Sequence, residues 1–123
     1  MRPEDCPVRA TLGVLGGKWK PVITHYLLEG TKRFGELRKL MPESTQKVLT
    51  QQLRQMERDG LVARRVYHQV PLKVEYSLTT YGLTLRPVMR ELCAWGEKHR
   101  AKVSPRNDGK AKAQTVQAAV GEN

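Results

Sequence analysis

The chain's 123 residues include 22 Lys and Arg against 12 Asp and Glu, a formal charge of +10 with a pI near 10.0. That length suits one ordinary domain and rules out a two-domain enzyme, while the basic excess favours polyanionic partners such as nucleic acid or an anionic membrane. Two cysteines, Cys6 and Cys93, and three scattered histidines, His25, His68 and His99, supply neither a disulfide framework nor zinc-ligand spacing, so a reducing compartment with no bound metal or cofactor is expected.

The opening stretch Met1-Arg2-Pro3-Glu4-Asp5-Cys6-Pro7 contains two acids and no apolar centre, so no secretory leader is read there. No apolar run approaches the ~18 residues of a membrane span, and a cytoplasmic chain with no membrane partner is expected. Pro7 suits a first helical position, and Val8, Leu12 and Leu15 recur at i, i+4, i+7 until Gly16-Gly17 stops the first helix. Trp19, Val22, Ile23, Tyr26 and Leu27 mark a second helix, with Gly30 as its C′ residue. Phe34, Leu37, Leu40 and Met41 predict a third, short helix that Pro42 ends, and Glu43-Ser44-Thr45 then offers an N-cap to a fourth.

From Leu61 to Leu78 the apolar period becomes two: Val62, Arg64 and Val66 alternate with Ala63, Arg65 and Tyr67, and Val74, Tyr76 and Leu78 with Lys73, Glu75 and Ser77. This predicts a hairpin whose tip is His68-Gln69-Val70-Pro71-Leu72. After Thr79, a plausible cap, Tyr81, Leu85, Val88, Leu92, Trp95 and His99 recur in steps of four and three along one long closing helix. Residues 101–123 hold only Val103, Val116 and Val120 as sizeable apolar groups and read as a flexible basic tail beyond a single 1–100 domain. With four cations and two acids the tail keeps +2, leaving +8 on residues 1–100.

On the fourth helix, ~100° per residue places Leu49, Leu53 and Met56 on the inward side. The opposite stripe is then Lys47, Thr50, Gln51, Arg54 and Arg58, with Glu57 at its edge and no carboxylate within it. On an isolated helix such a stripe is most simply a solvated surface. Here a short helix and a tight turn precede it and a basic hairpin follows, which makes a mainly α winged helix-turn-helix with a small β-hairpin and an extra C-terminal dimerisation helix. Expected DNA-binding residues are Thr45, Gln46, Lys47, Thr50, Gln51, Arg54 and Arg58 on the reading helix, and Arg64, Arg65, His68 and Lys73 on the wing. Within that set, Lys47, Thr50 and Gln51 suit base edges, Arg54 and Arg58 suit phosphates, and Arg64, Arg65 and Lys73 suit the flanking backbone. The other reading of a small basic winged helix is a sequence-neutral nucleic-acid-binding or architectural protein, whose cations touch phosphates alone.

The motifs Cys6-Pro7-Val8, Gly16-Gly17-Lys18-Trp19, Arg33-Phe34-Gly35-Glu36-Leu37, Leu49-Thr50-Gln51-Gln52-Leu53-Arg54, Glu57-Arg58-Asp59-Gly60-Leu61-Val62, Val74-Glu75-Tyr76-Ser77-Leu78-Thr79 and Trp95-Gly96 resemble, in this order, the HxlR-type winged-helix transcriptional regulators. The resemblance spans Cys6 to about His99. It implies a homodimer on a palindromic, inverted-repeat operator in double-stranded DNA, with the fourth helix in the major groove and the wing beside it. Two departures stand out: Ser44-Thr45 replaces the usual apolar-Ser pair, so Thr45 takes the capping role, and Pro71 is followed by Leu72 where a second proline is usual.

The closing stripe, Tyr81, Leu85, Val88, Leu92 and Trp95, is the expected dimer interface; packing on the first two helices is the alternative. Cys6 sits at the start of helix one near Arg9, a setting suited to a reactive thiol. The resemblance supports it as a sensor of a small electrophile or oxidant, and a small buried residue locking the N-terminus is the competing reading. Cys93, at the edge of the stripe, reads as core. Gly16-Gly17-Lys18 lacks the glycine spacing of a phosphate loop, and with no metalloprotease motif or nucleophile elbow no catalytic residue is assigned and no enzyme is expected.

Overall fold

The computed structural model describes Arg2 and residues 5–103. In chain order it contains α1 (Pro7–Leu15), α2 (Lys20–Leu27), β1 (Lys32–Arg33), α3 (Phe34–Leu40), α4 (Gln46–Arg58), β2 (Val62–Tyr67), β3 (Lys73–Leu78), α5 (Thr80–Leu83) and α6 (Arg86–Lys102). The helices and the hairpin fall where the periodicity predicts. Three features differ. A two-residue strand, β1, pairs with β3 to make a three-stranded antiparallel sheet in the order β1-β3-β2; two residues are too short to show an alternation. The single closing helix is two helices, because Pro87 has no N–H to give the Leu83 carbonyl that a continuous helix would require. The last helix also runs to Lys102, two residues into the expected tail, of which residues 104–123 lie outside the described residues.

The chain divides at Arg86 and Pro87 into two compact units. In the first, the core is built from Ile23 and Leu27 of α2, Leu37 of α3, Leu49, Leu53 and Met56 of α4, and Val62 and Tyr76 of the sheet, all buried. These are the apolar positions the spacing directs inward, and their removal from water is the main favourable term of this unit. In the second unit, α6 buries Met89 and exposes Val88, Leu92 and Trp95.

Two glycines fix how the reading helix meets the wing. Gly60, at φ +80, ends α4 in a left-handed turn in which its N–H donates to the Glu57 carbonyl and the Leu61 N–H donates to the Met56 carbonyl. This double bond closes the helix and turns the chain directly into β2. Gly82 in α5 lies so near the strand entrance that a Cβ there would stand 2.2 Å from the Leu61 carbonyl oxygen. Thr79 ties the same corner, its Oγ1 donating to the Gly60 carbonyl and accepting the Gly82 N–H. Gly82→Ala is therefore expected to lower stability by about 1–3 kcal/mol in urea unfolding. A variant as stable as the parent would show that α5 does not pack this closely.

Candidate nucleic-acid interface

Helix α4 is fixed from both sides. Burial of Leu49, Leu53 and Met56 holds one face in the core, so Lys47, Gln51, Arg54 and Arg58 stand exposed on the other, with Thr50 half-buried. Thr45 is the N-cap, its Oγ1 accepting the Val48 N–H at 3.0 Å. Its hydroxyl is thus used in starting the helix, and its place in the reading set is structural first. Ser44, beside it, is buried and donates to the Met41 carbonyl. Gln46 is exposed and accepts a 3.3 Å bond from Arg38 Nη1, which brings a cation of α3 to the head of the reading helix. No apolar spacing marks Arg38, so sequence patterning passes it over.

A cleft of about 420 Å³ opens between α4 and the sheet, lined by Phe34, Gln46, Thr50, Arg54, Glu57, Arg64, Val74 and Tyr76. Glu57 lies here, at the edge of the reading stripe and not within it. Phe34 is half-buried against this space.

The wing residues divide between two faces. The register sets Arg64 opposite Tyr76 and Arg65 opposite Glu75, so the adjacent arginines point to opposite sides of the sheet. Arg64 lines the cleft beside Arg54, whereas Arg65 lies on the outer face with Lys73. Lys73 is half-buried and ion-paired, its Nζ 3.4 Å from Glu75 Oε2. His68 is exposed at the tip. Strand β1 adds Arg33 to the outer face, opposite Glu75 on the far side from Arg65. The sequence offers no sign of that placement, because nothing in a two-residue strand announces its partner.

On α6, Val88, Leu92 and Trp95 lie on one face, with Trp95 68% exposed and stacked on His99 at 5.2 Å between ring centroids. Tyr81 is exposed on α5, but Leu85 is buried within the chain and has little left to offer a second copy. Cys6 is the N-cap residue of α1, half-buried, and its side chain makes no capping bond. Cys93 is exposed, contrary to the core placement expected for it, because α6 leaves that side uncovered. Among the described residues no group of His, Cys, Asp and Glu is arranged to hold a metal ion, and no helix is long and apolar enough to cross a membrane.

Residues 14–104 match the family model for the HxlR-like helix-turn-helix. YdeP, an uncharacterized helix-turn-helix-type transcriptional regulator of Bacillus subtilis, is 54% identical over 100 residues, covering 81% of this chain and 78% of its own. Among solved structures, the redox regulator HypR in its reduced form is 53% identical, with a TM-score of 0.75 over 77% of this chain and 94% of that one. Diamide-treated YodB of B. subtilis is 36% identical, with a TM-score of 0.64 over 76% of this chain and 93% of that one.

The Thr45 cap yields a direct test. Thr45→Ala is expected to cost about 1 kcal/mol of stability and Thr45→Ser almost nothing, measured by thermal or urea unfolding. Equal losses for both would mean that the hydroxyl does not cap α4.

Proposed function

The chain belongs to the HxlR-like helix-turn-helix family of transcriptional regulators, and on that footing we propose that it acts as a homodimeric repressor on an inverted-repeat operator, released when Cys6 is oxidised or alkylated. The observation that carries this reading is the exposed face of α4, where Lys47, Gln51, Arg54 and Arg58 form a stripe with Glu57 only at its edge, next to a cationic wing. Gln51 and Lys47 have the donors and acceptors to read base edges in the major groove, with Thr50 beside them. Arg54 and Arg58 suit phosphates on either side, which set register and supply salt-dependent affinity. The exposed face of α6 formed by Val88, Leu92 and Trp95 is too apolar for open water and suits a second copy of the chain. Two-fold pairing presents two α4 helices to successive major grooves about one turn of DNA apart, and a palindromic site follows.

The thiol part of the proposal rests on Cys6, at the head of α1, together with solved relatives that are described as a redox regulator and as a diamide-treated form. Alkylation of the Cys6 thiol by an electrophile adds bulk at the start of α1, where the side chain makes no capping bond.

Gln51→Ala is expected to lose about 1–3 kcal/mol on the best genomic site and to relax discrimination there, whereas Arg58→Ala weakens every duplex alike and flattens the salt dependence. Identical behaviour of the two variants on specific and random DNA would overturn the division between base readers and phosphate contacts. For the thiol, Cys6→Ser should bind as the parent does and resist diamide, while Cys93→Ser stays sensitive, both followed by gel shift. Release of the Cys6→Ser variant by diamide would remove Cys6 as the sensor.

A further inference from the structure

The outer face of the sheet carries one carboxylate among cations. Antiparallel register sets Arg33, Glu75 and Arg65 in a single row across the three strands, and the next row pairs Tyr67 with Lys73. Lys73 Nζ lies 3.4 Å from Glu75 Oε2, with the two side chains only 24% and 23% exposed, and 4.6 Å from the centroid of the Tyr67 ring. Arg65 lies over the same ring at 5.0 Å. Lys73 is thus held by a carboxylate and an aromatic face at once, in a setting less solvated than an ordinary surface pair.

We infer that Glu75 is a built-in competitor of the DNA backbone, occupying Lys73 in the DNA-free wing and so limiting how tightly the protein holds any duplex. The inference rests on the reading of the wing as a backbone contact. A phosphate has to displace the Glu75 carboxylate before Lys73 can neutralise it, so Lys73 adds less to binding than an unpaired lysine would. Glu75 is a positioning residue: it acts through Lys73 and the flanking arginines and touches no base edge. Its restraint applies equally to every sequence, so it sets the level of affinity and leaves discrimination to α4. Such a limit suits a regulator that must leave the large excess of non-operator DNA, since affinity added through phosphates alone is added to every competing site. The Tyr67 ring keeps Arg65 and Lys73 on the same face, ready for the backbone once the carboxylate is neutralised.

The test compares the full-length parent, Glu75→Gln, Lys73→Ala and the double variant on a random-sequence duplex and on the best genomic fragment of equal length, over a series of salt concentrations. Glu75→Gln should tighten both duplexes about fivefold to tenfold at 0.1 M monovalent salt and steepen the log–log salt slope by about 0.9, the contribution of one further phosphate contact. The ratio of specific to random affinity should not move. Lys73→Ala should weaken both duplexes alike, and by more in the Glu75→Gln background than in the parent, so that the double variant loses the gain. An unchanged slope in Glu75→Gln overturns the inference, as does a gain that survives in the double variant or a loss from Lys73→Ala that is no larger in the Glu75→Gln background than in the parent. Glu75→Thr takes the place of Glu75→Gln in the same comparison if the glutamine variant fails to fold. A parent chain with no salt-dependent DNA binding would instead overturn the functional reading beneath it.

Discussion

Burial of Leu49, Leu53 and Met56, each no more than 1% exposed, is the constraint on which the rest of the DNA-reading unit depends. A 13-residue helix with three inward anchors cannot rotate about its axis without exposing one of them, so its outward residues are set as firmly as its inward ones. The same anchoring determines both ends. Thr45 starts the helix with a side-chain cap, and Gly60 closes it with a left-handed turn whose second bond reaches back to Met56. The entry to β2 therefore lies just beyond Arg58, and the hairpin follows α4 directly along the chain.

The wing follows a different rule. In a sheet, sides alternate residue by residue, so two adjacent arginines that look equivalent in composition serve different neighbourhoods. Arg64 joins Arg54 and Glu57 around the cleft, while Arg65 joins Arg33, Lys73 and Glu75 outside. The basic character of the hairpin is thus divided into an inner part beside α4 and an outer part in which one carboxylate holds a lysine. A count of charges along the chain does not contain that distinction; the alternation separates Arg64 from Arg65, and the register adds which residues of the neighbouring strands stand beside each.

Much of the fold was legible in the sequence because helices with three or more spaced apolar residues, and strands with several alternations, leave a periodic trace. The reading stripe, the Thr45 cap and the hairpin were all recoverable this way. What escaped had no period to detect. Strand β1 is two residues long and Arg38 reaches Gln46 from a neighbouring helix; the alternation puts Lys73 and Glu75 on one face of β3 but does not show that their side chains pair. The break before α6 did have a signal, Pro87, but the steps of four and three across it suggested continuity. Of the expected interface stripe the chain itself buries Leu85, and Cys93, expected inward, is exposed on α6. Periodicity reports which side of a helix is apolar without saying what covers it.

In the proposed complex, one anchored helix per subunit reads one half of a two-fold DNA site. Hydroxyl-radical footprinting of the tightest genomic fragment tests it most directly. Two symmetry-related protected patches are expected, centred about one helical turn or a small multiple of it apart, over an inverted repeat. Continuous protection that begins and ends without regard to sequence would contradict it.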